Sequence, residues 1–196
     1  MLQGRSGSEN GYRTHTLYTE RLCLRRFTIA DVPYCYENWM SDPDVTEFLT
    51  WDTHSAEYVT ACYITSVLRE YTVGSLDWCI TLRKDNIPIG NIAAAQDYPE
   101  LRYCELGYSL SKEFWNRGIM TEALRAVCAW IFDHTDYLWV QARHDSENEA
   151  SGRCMEKAGM VKVTEFDDMF SKKQIMRHYV MRRIYRPGFT PSSSEE

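Results

Sequence analysis

A chain of 196 residues is the size of one domain and can enclose a sizeable hydrophobic core. Its hydrophobic share of 44% and charged share of 26% are ordinary globular values, which excludes a disordered or fibrous chain. The formal net charge of −6 argues against a nucleic-acid partner, which usually needs a basic face, and suits a cationic amine substrate better.

The first half of the chain predicts a helical segment between strands. A strand is expected at residues 22–26, and Thr28 followed three residues later by Asp31 is a variant of the capping box that opens a helix. Another helix follows Ser55. Three apolar runs then predict strands, the first two joined by a turn at residues 84–86: Asp77–Leu82, 87–96 and Tyr103–Leu110.

The second half predicts two helices and three further strands. A long helix ends near His134, and Ser146 with Glu149 predicts a capping box for the next helix, which ends at Gly159. The strands are expected at residues 138–142, 161–166 and 175–184, the last two forming a hairpin across 167–173. We therefore predict one domain with a mixed α+β sheet.

Cysteine and histidine usage bears on compartment and metals. The seven cysteines are scattered without a Cys-x-x-Cys pair, which is typical of free thiols in a reducing compartment. The histidines form no His-Glu-x-x-His or Cys/His cluster, so we expect no metal. The N-terminal residues lack the continuous apolar region of a secretory leader, and nothing downstream approaches the ~18 apolar residues of a membrane span. We expect a cytoplasmic protein without a membrane partner.

The most informative motif is the sequence FWNRGIMTEAL at residues 114–124. It follows the predicted strand Tyr103–Leu110 and opens a helix whose apolar residues recur at helical spacing: Leu124, Val127, Cys128 and Ile131. Glycine at position 118 lets an anion approach the unpaired N–H groups and the positive dipole end of that helix. The motif predicts a phosphate-binding turn, although Gly118 could also merely end a strand.

A second block, NEAS at residues 148–151 followed by EKAGM at 156–160, completes a resemblance to the GNAT acyltransferases. The subgroup resembled is the RimJ/RimL type, on the evidence of residues 19–25 with Asp31 and of residues 42–46 with Trp51. The resemblance implies a mostly antiparallel twisted sheet flanked by helices, whose central strands, carrying Glu105 and Val140, splay apart to admit acetyl-CoA.

The resemblance runs from about Tyr18 to about Tyr185 and suggests the domain boundaries. We expect residues 1–17 to be a flexible N-terminal segment and residues 18–186 to be a single GNAT acetyltransferase domain. The polar residues 187–196 are expected to be a disordered tail.

The resemblance also implies the residues that bind acetyl-CoA. The turn binds the pyrophosphate, mostly through main-chain N–H groups, with the residues Arg117, Gly118, Ile119, Met120 and Thr121. Leu110 bonds the pantetheine arm through its backbone, and Asn148 bonds its amides. The family pattern usually has Gly or Ala at the Met120 position and Gly at the Asn116 position, so both are departures. The larger Met120 side chain could narrow the pocket, but its amide remains available to the cofactor.

Acetyl transfer to an amine needs a neutral nitrogen, a polarised thioester carbonyl and a proton for the departing thiolate. We expect Glu105 to be the base, because it precedes Leu106 and Gly107 where many GNAT enzymes place a carboxylate. A strand end beside a cleft desolvates a carboxylate, which makes it a better proton acceptor. The alternatives are a surface glutamate on a half-exposed strand and a water chain that takes the proton.

Ser151 lies three residues after Asn148, so the two side chains can face the same side of a helix. The resemblance implies that the Ser151 hydroxyl donates towards the thioester sulfur. The alternative is plain helix capping by both residues. Since Met155 stands where many GNAT enzymes place an acid tyrosine, Ser151 or a water must protonate the thiolate.

Large aromatic residues are candidates for the acceptor pocket, although such residues more often belong to the core. They are Trp39, Trp51, Trp115 and Tyr108. His144 and Asp145, after the last central strand, are further candidates to reach the acceptor, with solvated loop residues as the alternative.

The sequence thus predicts an N-acetyltransferase that moves the acetyl group of acetyl-CoA to a primary amine by direct transfer in a ternary complex. The acceptor stays open between a protein N-terminal amine and a small molecule such as a polyamine or an aminoglycoside. The competing hypotheses are a non-catalytic acyl-CoA-binding module and a mainly interacting protein that uses the hairpin at 161–184 as a homodimer surface.

Overall fold

The computed structural model describes residues 13–170 and 172–191. Its eight strands form one sheet in the order β1-β2-β3-β4-β5-β6-β8-β7, and every neighbouring pair is antiparallel except β5 and β6. The strands are β1 (Leu17–Tyr18), β2 (Leu22–Arg25), β3 (Asp77–Leu82), β4 (Pro88–Tyr98), β5 (Tyr103–Leu110), β6 (Trp139–Asp145), β7 (Val161–Phe170) and β8 (Ile175–Tyr185). The mixed α+β class and the mostly antiparallel sheet are confirmed.

Helices cover both faces of this sheet. They are α1 (Val32–Cys35), α2 (Pro43–Thr46), α3 (Glu57–Glu70), α4 (Ile119–His134) and α5 (Glu149–Ala158), with a π-helical turn at Tyr36–Met40. Strand β3 shows how the two layers arise, since successive side chains of a strand point to opposite faces. Trp78 and Ile80 join the larger core with α4 and α5, whereas Cys79 joins the smaller core with α1 and α3.

Helix α4 forms the centre of the larger core. All four residues of its predicted apolar face, from Leu124 to Ile131, are buried. The helix begins after Gly118, whose φ of +72° is a left-handed conformation that glycine adopts without strain. It ends at His134, and none of the helices in the described part of the chain is long and apolar enough to cross a membrane.

The predicted second capping box is wrong. Helix α5 is capped by Asn148, whose Oδ1 accepts a hydrogen bond of 3.1 Å from the Ser151 N–H, and not by Ser146. Asp145, at the end of β6, accepts a hydrogen bond of 2.9 Å from the Glu147 N–H through its Oδ1. Residues 145–147 therefore form a separate turn before the helix. The first capping box, of Thr28 and Asp31, is present but opens a short 3₁₀ turn ahead of α1.

Single residues beyond both ends of the predicted domain make contacts with the rest of the structure. Of the predicted flexible segment, residues 1–12 lie outside the described residues, but Thr14 is buried and its Oγ1 donates to the Ser75 carbonyl at 2.8 Å. Of the predicted tail, residues 192–196 lie outside the description, while Phe189 stacks on Trp139 with ring centroids 6.5 Å apart. Residues beyond both predicted domain boundaries therefore contact the folded domain.

Candidate active site

The turn before α4 has the backbone geometry of an anion site. Asn116 and Gly118 both adopt positive φ, at 59° and 72°, which reverses the chain between β5 and the helix. The first N–H groups of α4, those of Ile119, Met120 and Thr121, have no acceptor within a regular helix. A pyrophosphate fits such a terminus because these N–H groups and the helix dipole both favour negative charge.

The two departures from the family pattern are accommodated here. The Met120 side chain is only 6% exposed and packs in the larger core, so what Met120 contributes to the turn surface is its amide. The expected narrowing of the pocket by this side chain therefore does not follow. Asn116 adopts the left-handed conformation itself, which asparagine tolerates better than other residues with a Cβ.

An arginine that the sequence left without a role braces this turn. Arg21 Nη1 donates to the Arg117 carbonyl at 2.8 Å, and Arg21 Nε donates to Glu122 Oε2 at 2.7 Å. The Glu122 carboxylate also accepts from Thr19 Oγ1 at 2.5 Å. The β1–β2 connection thus holds the first turn of α4 and adds a guanidinium beside Gly118.

The central strands β5 and β6 are paired over only part of their length. Their parallel pairing covers only residues 103–105 with 139–141, ending at Glu105 and Gln141. Beyond that point β5 continues to Leu110 paired only with β4, and β6 continues to Asp145 paired only with β8. The expected splaying of the central strands is therefore present, and it starts beside Glu105.

Glu105 is buried rather than a surface residue, being 9% exposed. Its Oε2 accepts from Gln141 Nε2 at 3.0 Å, and its Oε1 lies 3.3 Å from Arg143 Nε. Arg143 Nη1 also contacts Asp168 Oδ2 at 3.3 Å. Gln141 and Arg143, which sequence reasoning missed, follow each other at i and i+2 on β6, the spacing that puts both on the same face as Glu105.

Ser151 forms its closest side-chain contact with Tyr108 of β5. The two hydroxyl oxygens lie 2.8 Å apart, and either can be the donor. Burial raises the pKa of the Tyr108 phenol, which keeps it protonated. Asn148 caps the helix through its Oδ1, so capping accounts for this oxygen while the amide nitrogen stays available for a ligand.

Glu105 and the pair of Ser151 and Tyr108 lie on opposite faces of the sheet. Cys104, Leu106 and Leu110 of β5 belong to the larger core beneath α4 and α5, and Tyr108 packs against it. By alternation, Glu105 faces the other side, towards α1 to α3. This arrangement lets a carboxylate act on a nucleophile from one face while a hydroxyl serves the leaving group on the other.

The backbone of Leu110 is predicted to bond pantetheine, and its carbonyl accepts from Trp115 Nε1 at 2.8 Å. Trp115 is 39% exposed and lies in the turn that precedes α4. Trp39 is fully buried in the smaller core, and Trp51 is half-buried with its ring centroid 5.2 Å from that of His54. Of the four aromatic candidates, Trp115 beside the turn and Trp51 against the smaller core both keep part of their surface open.

His144 belongs to the α5 side of the sheet. Its Nδ1 lies 2.9 Å from the Asp145 carbonyl, which can only accept, so Nδ1 carries the proton. Burial lowers the pKa of this imidazole, which keeps it neutral. The ring lies against Gly152, where an added Cβ would stand 2.6 Å from Cε1 and 2.8 Å from Nε2. Asp145 instead forms a buried ion pair, 2.5 Å, with Arg177.

The contact between His144 and Gly152 predicts a reversal in the effect of one substitution. Gly→Ala inside a helix ordinarily stabilises by about 1 kcal/mol. We expect Gly152→Ala to destabilise the protein by about 1 to 3 kcal/mol, because the new methyl overlaps a buried ring that has little room to move. In a His144→Ala background the same change should stabilise. Urea unfolding of the four proteins checks both signs, and stabilisation by Gly152→Ala in the parent would show that the ring moves freely.

Metal ligands are not grouped in the described residues: no cluster of three or more His, Cys, Asp or Glu side chains could hold an ion there. All seven cysteines are free.

Comparison with known proteins places this geometry in a family. The model of the acetyltransferase (GNAT) domain matches residues 21–161, more than half of the chain. The uncharacterised N-acetyltransferase p20 of Bacillus licheniformis is 24% identical over 166 residues, which cover 84% of this chain and 86% of that protein.

Solved structures of other acetyltransferases share the fold. The ribosomal-protein-S5-alanine acetyltransferase of Vibrio fischeri is 15% identical with a TM-score of 0.77, over 90% of this chain and 100% of that one. The microcin C7 self-immunity acetyltransferase MccE, solved with acetyl-CoA and AMP, is 12% identical with a TM-score of 0.75, over 85% of this chain and 93% of that one. With its splayed strands, its helix-terminal turn and the matched domain model, the chain belongs to the GNAT acetyltransferase family and is an acyltransferase with RimJ/RimL-type enzymes among its structural relatives.

Proposed function

We propose that this protein transfers the acetyl group of acetyl-CoA directly to a primary amine in a ternary complex. The observation that carries the proposal is the placement of Glu105 and Ser151 on opposite faces at the point where β5 and β6 diverge. An amine nitrogen that approaches from the Glu105 face meets the thioester carbonyl between the strands, and the sulfur leaves on the Ser151 face.

Each residue has one task in this proposal. The turn at residues 117–121 binds the pyrophosphate through its amides, and the Leu110 backbone and Asn148 bind the pantetheine arm. Glu105 takes a proton from the amine, directly or through a water. Ser151 donates a hydrogen bond towards the sulfur, on which negative charge develops as the C–S bond breaks.

The acceptor that fits best is a protein N-terminal amine. An α-amine near pKa 8 loses its proton at pH 7 for about 1 to 1.5 kcal/mol, whereas a lysine-like amine costs about 4 to 5 kcal/mol. Glu105 already has one oxygen engaged by Gln141 and the other by Arg143, so an acceptor that demands little of the base suits it. The ribosomal-protein acetyltransferase of similar fold supports the same choice.

A small amine is the second candidate, favoured by the net charge of −6. Steady-state assays with N-terminal peptides, spermidine and an aminoglycoside separate the two acceptor classes, since a peptide-specific enzyme saturates with peptides and leaves the others largely unmodified. The seven free thiols support our proposal of a reducing, cytoplasmic location.

The cofactor is tested by thermal unfolding with and without acetyl-CoA. At about 100 times Kd, linkage predicts about 2.7 kcal/mol of stabilisation, or roughly 5 to 10 °C. We expect Gly118→Ala to lose most of this shift, because alanine is strained at a φ of +72° and the turn must open to relieve it. No shift in the parent with acetyl-CoA would overturn the assignment.

The matched control for this measurement is Gly188→Ala. Gly188 has a similar φ of +84° and no neighbouring atom within 4 Å of an added Cβ, but it lies near the end of the described chain. The same backbone strain is introduced there without touching the turn. We expect this variant to keep the full acetyl-CoA shift; an equal loss in both variants would mean that strain alone explains the effect.

A further inference from the structure

The contact between Tyr108 and Ser151 spans 43 residues of sequence and joins β5 to α5. The phenol oxygen lies 2.8 Å from Ser151 Oγ and 3.4 Å from the Ser151 carbonyl, so both polar atoms of the serine that face β5 meet the same hydroxyl. The phenol lies at the edge of the larger core, and its protonated form persists because burial opposes the phenolate.

A serine hydroxyl carries a single hydrogen, and its direction decides what the residue can do. Inside a helix, a serine commonly turns this hydrogen back to the carbonyl four residues earlier. The oxygen also has two acceptor lone pairs, and a neighbouring donor that bonds one of them fixes the hydroxyl so that its hydrogen can point to another acceptor. Tyr108 is placed to be this donor, since its oxygen reaches Ser151 Oγ at an ordinary hydrogen-bond distance.

We propose that Tyr108 is a positioning residue for acetyl transfer: its phenol donates to Ser151 Oγ and leaves the Ser151 hydrogen free to point at the departing sulfur. This inference rests on the proposed function. The C–N bond forms as the C–S bond breaks, and the sulfur keeps the electron pair. The proton that the amine nitrogen releases balances the proton that the sulfur takes up, so Ser151 and Tyr108 end in the protonation states in which they began.

The position of Tyr108 explains how this chain can protonate the leaving group although Met155 replaces the acid tyrosine on α5. A phenol still reaches the leaving-group side of the sheet, but it comes from the strand and acts through a serine. It follows that the two hydroxyls form one unit, and removal of either should remove the same contribution.

The test is a double-mutant cycle of Tyr108→Phe and Ser151→Ala, measured by steady-state acetylation of the best acceptor. We expect Tyr108→Phe to lower kcat roughly tenfold, part of the ~10²–10⁴ that a positioned proton donor supplies, with KM for acetyl-CoA unchanged. In the Ser151→Ala background, Tyr108→Phe should cause no further loss. The acetyl-CoA thermal shift of each variant shows that it is folded and binds the donor.

Tyr71→Phe is the matched control, because it also removes a buried phenol hydroxyl. The Tyr71 hydroxyl donates to the Asp77 carbonyl at 2.8 Å and accepts from the Phe27 N–H at 3.0 Å, within the smaller core. This variant should lose stability and keep kcat.

Three outcomes overturn the inference. The first is a kcat of Tyr108→Phe equal to that of the parent. The second is an equal loss of kcat from Tyr108→Phe in the parent and in the Ser151→Ala background. The third is a loss of kcat in Tyr71→Phe as large as that in Tyr108→Phe. If the parent enzyme acetylates an amine, each of these outcomes overturns the role of Tyr108 but leaves the proposed function unaffected. A parent that acetylates no amine would overturn the proposed function and this inference together.

Discussion

Replacing Glu105 with glutamine is expected to lower kcat for amine acetylation by roughly 10²-fold at neutral pH, while acetyl-CoA still raises the melting temperature as in the parent. The amide cannot accept the proton of the amine, and a positioned base supplies ~10²–10⁴ in rate. Glutamine keeps the size of the side chain and can still bond Gln141, so binding of the donor on the other face should not change. Steady-state kinetics and thermal shift measure the two quantities.

The pH dependence separates a lost base from a damaged site. An amine acceptor loses its own proton as the pH approaches the pKa of that amine, so less is demanded of the enzyme. The deficit of Glu105→Gln should therefore shrink steadily as the pH is raised from about 7 to about 9. A deficit that stays constant over this range would contradict the role of Glu105 as a base.

Asp168→Asn is the control for charge. Asp168 is the second carboxylate on Arg143, at the same 3.3 Å, but it is half-exposed and lies on β7. Neutralising it disturbs Arg143 in the same way without touching the strand divergence. We expect Asp168→Asn to keep most of the activity. If both variants lose activity equally, the effect belongs to Arg143 and not to Glu105.

Elements with strong local signals were predictable from the sequence. The strand Tyr103–Leu110 was predicted with the observed bounds, and the helix predicted to end near His134 does end there, because apolar periodicity and a turn glycine mark them. The closing hairpin was predicted too short. Asp167 and Asp168 are turn-forming residues by type, yet both lie in β7, where pairing with His178 and Arg177 across the strands offsets their low strand propensity.

The site was predictable only in part, for a related reason. The turn at Gly118 is formed by consecutive residues, so the sequence motif alone predicts it. The contacts of Glu105 with Gln141 and of Tyr108 with Ser151 join residues 36 and 43 positions apart. They depend on the parallel register of β5 with β6 and on the docking of α5. The strand pattern could have indicated Gln141 and Arg143 as one face, but nothing in the sequence states which residue of β5 faces them.

Asp77 lies outside this site, and we expect its titration to control how the free energy of unfolding depends on pH. It begins β3, is 6% exposed, and has a side-chain oxygen, Oδ1, without a hydrogen-bond partner among the described residues. No ion pair with a described residue offsets this burial, and the groups around it include the Tyr63 and Tyr71 phenols. Burial raises the pKa of this carboxyl from 3.8 to about 7.

The sign follows from proton linkage. The folded protein holds its proton on Asp77 up to about pH 7, whereas the unfolded chain releases it near 3.8. Stability is therefore fully present below the lower value and falls as the pH rises towards the higher one, by about 4 kcal/mol in total. Asp77→Asn stays neutral at every pH and should be free of this loss.

We therefore expect the melting temperature of the parent to fall relative to that of Asp77→Asn between about pH 5 and about pH 8, by on the order of 5 to 10 °C. Thermal unfolding of both proteins across this range gives the difference directly. Asp133→Asn makes the same chemical change at an exposed position of α4 and should stay within about 0.5 kcal/mol of the parent at each pH. Parallel melting curves for the parent and Asp77→Asn would mean that Asp77 is ionised in the folded protein at neutral pH and that a polar partner compensates its burial.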